Sequence, residues 1–251
     1  MTVAAERTKL KTIQPLRALY LQSTNFQIRY DACHDRGWTD SYILTSDGLQ
    51  VGYGSVMGRD RADRDTVFEF FVIPSFRRQS SALFRALLAA SGARYIECQS
   101  NDLGLTALLF EFAREISADV ILFEDHAVSR HVVPGGIVRR RRKGDAIFAH
   151  AVEPVGDYVL EVDGEVVATG GFLLHYNPPF ADLFMEVRED CRRRGFASFL
   201  LQELKRECHL AGRVPAARCD LRNAGSRGAL TNAGMRVCGF MLAGVVRSDF
   251  P

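Results

Sequence analysis

The chain has 251 residues, 47% of them hydrophobic and 25% charged, and its 32 Lys and Arg against 30 Asp and Glu leave a net charge of +2. It is too apolar for a disordered chain and too nearly neutral for a dedicated nucleic-acid binder. No apolar run reaches the roughly 18–20 residues of a membrane helix, and Met1–Glu6 shows no basic segment followed by an apolar one, so the expected compartment is the cytoplasm. A globule of this length buries about 70% of its extended-chain surface. That suffices for one large domain or two small ones without disulfide or metal staples. Cys33, Cys98, Cys191, Cys208, Cys219 and Cys238 are scattered, with no C-x-x-C pair, and read as reduced, buried thiols. No metal site is expected.

In chain order, a helical stretch at about Ile13–Tyr30 comes first. Tyr42–Thr45, Asp47-Gly48 and Leu49–Gly54 follow as strand, turn and strand, Asp-Gly being the strongest short-range hairpin signal. Val67–Ile73 is another apolar strand. An arginine-bearing turn leads from it into a helix with the stripe Ala82, Ala86, Leu87 and Ala90, stopped by Gly92. Tyr95–Cys98 reads as a strand, and Asn101 opens a short helix. His131–Gly136 breaks both periodicities and marks a join. Arg139–Lys143 reads as a solvated edge strand or linker, and no aromatics interleave with it, which argues against a nucleic-acid partner. A second hairpin follows: Tyr158–Glu161, Asp163-Gly164 and Glu165–Gly170. Leu183–Val187 is the next strand. The helix after Gly195 carries Ala197, Leu200, Leu201, Leu204, Cys208 and Ala211 on one face and stops at Gly212. Val214–Asp220 is a strand, and Asn223 opens the last short helix.

This order repeats. A shift of 116 residues superposes Asp47 on Asp163, Gly48 on Gly164, Val51 on Val167 and Gly54 on Gly170. A shift of 115 places Val72 on Val187, Arg77 on Arg192 and Ala82 on Ala197. An ordered series of matching strands and helices is the signature of an internal repeat. The expected organisation is therefore two copies of one α/β (α+β) module, residues 1–130 and 137–251, each a mixed twisted sheet flanked by helices.

The segment Phe184–Ala197 carries the chemistry. A strand ends at Val187, a basic turn with Arg192, Arg193 and Arg194 follows, and a helix begins at Gly195. Unpaired N–H groups at a helix start, assisted by the helix dipole and nearby arginines, hold phosphate or pyrophosphate. Gly195 lets backbone approach such a ligand, and Ala197 leaves room for it.

Arg192-x-x-Gly195-x-Ala197 after this strand resembles the acyl-CoA signature Q/R-x-x-G-x-G/A of the GNAT superfamily of N-acyltransferases. Asn223-Ala224-Gly225-Ser226, Leu230 and Ala233-Gly234-Met235 resemble the fifth-strand exit and following helix of that family. The resemblance covers essentially the whole second half and implies two tandem GNAT-like modules. It also implies acetyl-CoA as co-substrate and an amine as acceptor. On it, Arg192, Arg193, Arg194, Gly195, Phe196 and Ala197 hold the coenzyme pyrophosphate, Met185 and Val187 face pantetheine through their backbone, and Asn223 and Ser226 line its other side. Arg77-Arg78-Gln79-Ser80-Ser81-Ala82 departs from the pattern, with Ser80 where glycine is expected, so the first half reads as a degenerate copy that no longer binds the coenzyme.

Direct transfer from a thioester needs a base for the amine and an acid for the thiolate. Glu186, on the central strand beside the implied thioester, is the base expected. The family's tyrosine seven residues after the asparagine is Leu230 here, so Tyr176, at the end of the preceding strand, is the nearest acid. Glu124-Asp125-His126 and His131 are weaker acceptor-side candidates. A non-catalytic acyl-CoA sensor or scaffold is the rival reading. The acceptor, the acyl chain and a homodimeric state stay open.

Overall fold

The computed structural model describes residues 2–27, 30–58, 60–151 and 153–248. The chain forms two compact units. The first takes residues 2–26, 30–58, 60–119 and 239–248, and the second takes residues 27, 120–151 and 153–238.

The first unit contains β1 (Val3–Thr8), α1 (Leu10–Ser23), α2 (Tyr30–Asp35), β2 (Asp40–Ser46), β3 (Leu49–Met57), β4 (Thr66–Val72), α3 (Ser80–Ser91), β5 (Tyr95–Gln99) and α4 (Leu103–Phe112). A long strand, β6 (Ala113–Asp125), starts in this unit and ends in the second. The second unit continues with β7 (Gly136–Arg140), β8 (Tyr158–Val162), β9 (Glu165–Leu173), β10 (Phe180–Val187), α5 (Phe196–Leu210), β11 (Val214–Asp220) and α6 (Ala224–Asn232). β12 (Met235–Val246) starts in the second unit and ends in the first.

Strand order makes the repeat explicit. In the first unit β1, β2, β3 and β4 pair antiparallel in succession, β4 pairs parallel with β5, and β5 pairs antiparallel with Met241–Val245 of β12. In the second unit β7, β8, β9 and β10 do the same, β10 pairs parallel with β11, and β11 pairs antiparallel with Val120–Glu124 of β6. Each copy thus receives its sixth strand from the sequence of the other. The contiguous halves expected at 1–130 and 137–251 differ from the observed units by this exchange.

Local chemistry explains the elements. Asp47 and Gly48 have φ of 47° and 81°, and Asp163 and Gly164 have 51° and 83°. Two successive positive φ values make the tight hairpin turn for which Asp-Gly is suited. α3 ends at Gly92 (φ 67°), and Gly212 (φ 71°) follows the end of α5. Of the helical stretch expected at Ile13–Tyr30, α1 covers the part up to Ser23 and α2 begins only at Tyr30; β1 precedes both. α4 is opened by Asp102 rather than Asn101: the Asp102 carboxylate accepts the Leu105 N–H at 3.0 Å, while Asn101 donates to the Asn25 carbonyl at 2.8 Å. The Arg139–Lys143 run begins in β7, an outer strand of its unit, where Arg139 pairs with Asp145 (2.8 Å) and Glu161 (2.6 Å). Among the described residues no helix is long and apolar enough to cross a membrane.

The second unit's core lies between the sheet and α5, with Leu200, Leu201, Leu204 and Cys208 packed on Leu160, Ala168, Leu183 and Val187. Odd-numbered β10 residues therefore face α5, and Asp182, Phe184 and Glu186 face the opposite side. In the first unit the same α5-like face holds Leu83, Phe84 and Leu87 of α3, while Ile13 and Tyr20 of α1 cover the other face with Tyr53 and Phe71.

Candidate active site

The two central strands of the second unit part company early. β10 pairs with β11 only at Phe180↔Val214, Ala181↔Pro215 and Asp182↔Ala216, then runs on to Val187 paired with β9 alone. Successive residues of a strand direct their N–H and C=O groups to alternate sides. The Val214 N–H bonds the Pro179 carbonyl, and the Arg188 N–H bonds Val167 of β9. By that alternation the backbone groups of Leu183, Met185 and Val187 point into the opening beside β11. The Val187 carbonyl accepts from Arg192 Nε at 3.3 Å. Such a row of backbone donors and acceptors suits an extended, amide-bearing chain, as in strand addition.

The opening ends on the basic turn. After a short 3-10 turn at Glu189–Cys191, Arg193 and Gly195 take the left-handed conformation (φ 65° and 81°), and α5 starts at Phe196. Cys191 and the Phe196 side chain are buried in the core, whereas Arg192, Arg193, Arg194 and Gly195 are exposed. The turn is thus pinned from below, leaving the first N–H groups of α5 and three guanidinium groups on one exposed rim. Alternating hand along a backbone gathers N–H groups into an anion-binding concavity. Phe196 can contribute to it only through its backbone.

The first unit repeats the opening but not the turn. β4 pairs with β5 at Thr66 and Val67 only. Beyond β4, however, Pro74–Gln79 is a 3-10 helix that passes directly into α3, and Ser80 sits in it with φ −54° and ψ −45°. A Cβ on Gly195 would meet no atom within 4 Å. The φ of 81° itself favours glycine, a second reason beside close approach to a ligand for glycine at 195, whereas Ser80 holds an ordinary helical conformation.

On the face away from α5 the structure gathers two histidine-containing groups. Near the cradle end of β10, the Glu186 carboxylate accepts the Ala151 N–H at 3.0 and 3.2 Å. His150 bonds the Thr169 hydroxyl through Nε2 at 2.6 Å and the Phe148 carbonyl through Nδ1 at 2.9 Å. Residues 141–151 and 153–157, the strap carrying Phe148, His150 and Ala151, run between β7 and β8; at the matching place, between β1 and β2, the first unit has α1 and α2 instead. At the other end of β10, His175 Nε2 lies 3.0 Å from the Asp182 carboxylate, with Arg218 Nε of β11 at 3.8 Å from the same oxygen. The Tyr176 ring is 4.9 Å from that of His175 and is fully buried.

Of the residues expected from sequence, Met185, Val187 and the 192–197 turn therefore lie along one opening and its rim. Glu186 and Tyr176 lie toward opposite ends of β10, a span of about 20 Å from Phe180 to Glu186, so they do not form one acid–base pair. Asn223 caps α6, its side chain accepting the Ser226 N–H at 2.9 Å, and Leu230 is buried in the core. Asp125 is bound by Lys205 (2.6 Å) and His209 (2.7 Å). Burial would raise its carboxyl, but these two partners hold it below the usual range. His131 Nε2 bonds the Asn232 carbonyl at 2.7 Å. Both residues tie elements of the second unit together. The His175–Asp182 pair escaped the sequence reading. Its one visible signal was that Asp182 and Glu186 share a strand face by alternation.

Residues 126–235 match the model of the acetyltransferase (GNAT) family. No curated protein matches the sequence significantly. Among solved structures, a GNAT-family acetyltransferase from Colwellia psychrerythraea is similar with a TM-score of 0.74 at 14% identity, over 98% of this chain and 100% of the other. A tandem GNAT protein from the clavulanic acid biosynthesis pathway gives 0.63 at 12% identity, over 99% and 100%. A GCN5-related N-acetyltransferase from Sphaerobacter thermophilus gives 0.58 at 16%, over 99% and 97%. At these identities the likeness is one of fold.

Proposed function

We propose that this chain, a tandem GNAT fold with a GNAT acetyltransferase domain at residues 126–235, moves an acyl group from acetyl-CoA to an amine in its second unit. The observation that carries the reading is the early parting of β10 from β11 beside a left-handed, triple-arginine helix entry. Gly195, Ala197 and the exposed arginines hold pyrophosphate, with Phe196 giving its N–H. Met185 and Val187 align the pantetheine arm through backbone. Asn223 and Ser226 define the α6 side. Catalysis is then chiefly positioning, with strand N–H groups polarising the thioester carbonyl. Burial holds the Cys219 thiol above its ordinary range and pushes Cys208 up to about 11. Both lie in the core of the second unit, so neither is offered as a nucleophile in the proposal.

Isothermal titration with acetyl-CoA should give one site per chain, and absence of binding would end this reading. Gly195→Val should weaken that site by at least about tenfold. A β-branched residue in the left-handed region costs about 1–2 kcal/mol, and its relief would misdirect the N–H groups. Ser80→Val, in an ordinary helical conformation, should leave the titration unchanged. The buried Leu230 in place of a tyrosine keeps the sensor reading in play. Thiol release from acetyl-CoA across a panel of amines (amino acid, polyamine, aminoglycoside, lysine peptide) decides between the two. Glu186 and Tyr176 stand as acid–base candidates within the proposal, and release unaltered by Glu186→Gln removes the first.

A further inference from the structure

We infer, on the acyl-transfer reading above, that His175, oriented by Asp182, is the group that takes the proton of the acceptor amine. Asp182 is the last β10 residue paired with β11, and the opening begins immediately beyond it. A coenzyme held by phosphate at the Val187 end and laid along the strand toward Leu183 covers about 13 Å and brings its reactive end to this vertex. The vertex is where the chemistry must occur, and the titratable pair found there is His175–Asp182, with side chains 18% and 9% exposed.

The pair has the geometry of an oriented base. Asp182 accepts the Nε2–H of His175, which fixes the tautomer and leaves Nδ1 with its lone pair. Around it lie Arg218 on β11, Tyr176 on the same loop, and Arg213, which donates to the Phe180 carbonyl at the start of β10. Glu186, by contrast, is four residues farther along the strand, and its oxygens are taken by the strap. The degenerate unit supports the assignment. Asp182 is the last β10 residue paired with β11, and the matching residue, the last of β4 paired with β5, is Val67, which has no carboxylate.

In the reaction the neutral amine nitrogen forms the N–C bond to the thioester carbon. His175 Nδ1 takes a proton from that nitrogen. The C–S bond then breaks with its electron pair on sulfur, and the imidazolium returns the proton to the thiolate, giving amide and free thiol.

The full chain should be assayed for acetyl-CoA binding by titration and for thiol release with the best amine of the panel. His175→Ala and the bulkier His175→Gln should bind acetyl-CoA within about twofold of wild type and lose roughly 100-fold or more in kcat, with partial rescue of His175→Ala by added imidazole. Asp182→Asn should lower kcat with KM for acetyl-CoA and its binding within about twofold of wild type, and should leave the residual rate of His175→Ala unchanged when the two are combined; a purely structural role would not give that split. Failure of the wild type to bind acetyl-CoA overturns the acyl-transfer reading and this assignment together. Wild-type turnover with unchanged kcat and pH profile in the His175 variants overturns the assignment alone. So does loss of acetyl-CoA binding in both His175 variants.

Discussion

Ending the chain at Cys238 is expected to unfold the first unit. The residues removed supply Met241–Val245, which pair with the whole of β5, together with Leu242 and Val246, which pack on the core of that unit. They also carry Phe240, bonded to Ser100 in both directions, and Arg247, which donates to the carbonyls of Phe112 and Ala113. At about 1 kcal/mol net per backbone hydrogen bond, with further loss from the exposed apolar side chains, the deficit is comparable with the ~5–15 kcal/mol that holds a typical domain together. β5 would also become an unprotected edge, an invitation to aggregation. The measurement is soluble yield together with hydrogen exchange at the Tyr95–Gln99 amides. A shortened chain that stays soluble, protects those amides and melts within a few degrees of the full one would show that β12 does not complete this sheet.

That dependence was invisible in the sequence for a definite reason. Alternation and helical stripes report which face of an element is buried, and on that basis both hairpins, β10, α5 and β11 were readable from residues. The mirrored Asp-Gly turns and glycine stops made the repeat readable as well. Pairing partners are different. β6 and β12 are equivalent strands, and periodicity does not say which copy of the sheet each one joins. The site divides in the same way. The Arg192–Ala197 turn is local and carries its own chemistry, so it was legible. His175 reaches Asp182 across a loop, and Ala151 reaches Glu186 over 35 residues. Such contacts depend on how the strap and the β9–β10 loop fold over the sheet. Glycine at 195 was legible too, while the left-handed φ that it takes in the turn was not.

Arg17→Leu should cost about 3–5 kcal/mol of stability near neutral pH, the usual consequence of leaving a buried charge without its partner. Glu69, on β4, is wholly buried and is bound by Arg17 Nε and Nη2 (3.0–3.1 Å), by His34 Nε2 (3.1 Å) and by the Tyr53 hydroxyl (3.0 Å), while Arg17 also bonds Asp31 at 2.5 Å. Burial by itself would raise the Glu69 carboxyl. The adjacent guanidinium of Arg17 and the bond to His34 outweigh it and hold the carboxyl down at about 2. A carboxyl depressed on folding stabilises above its unfolded pKa of about 4.3 and loses that contribution as pH falls toward its folded value. Wild-type stability, read by urea titration, should therefore decline between about pH 4.5 and pH 2 through this residue. In Arg17→Leu the depression is largely gone, so the variant starts lower at pH 7 and its acid decline flattens. Arg17→Met combined with Glu69→Gln removes both charges while keeping an acceptor for Tyr53, and should recover more than half of the loss. A single variant costing under about 1 kcal/mol, with the wild-type acid profile retained, would mean that α1 is held to β4 by its apolar residues Ile13 and Tyr20 rather than by this ion pair.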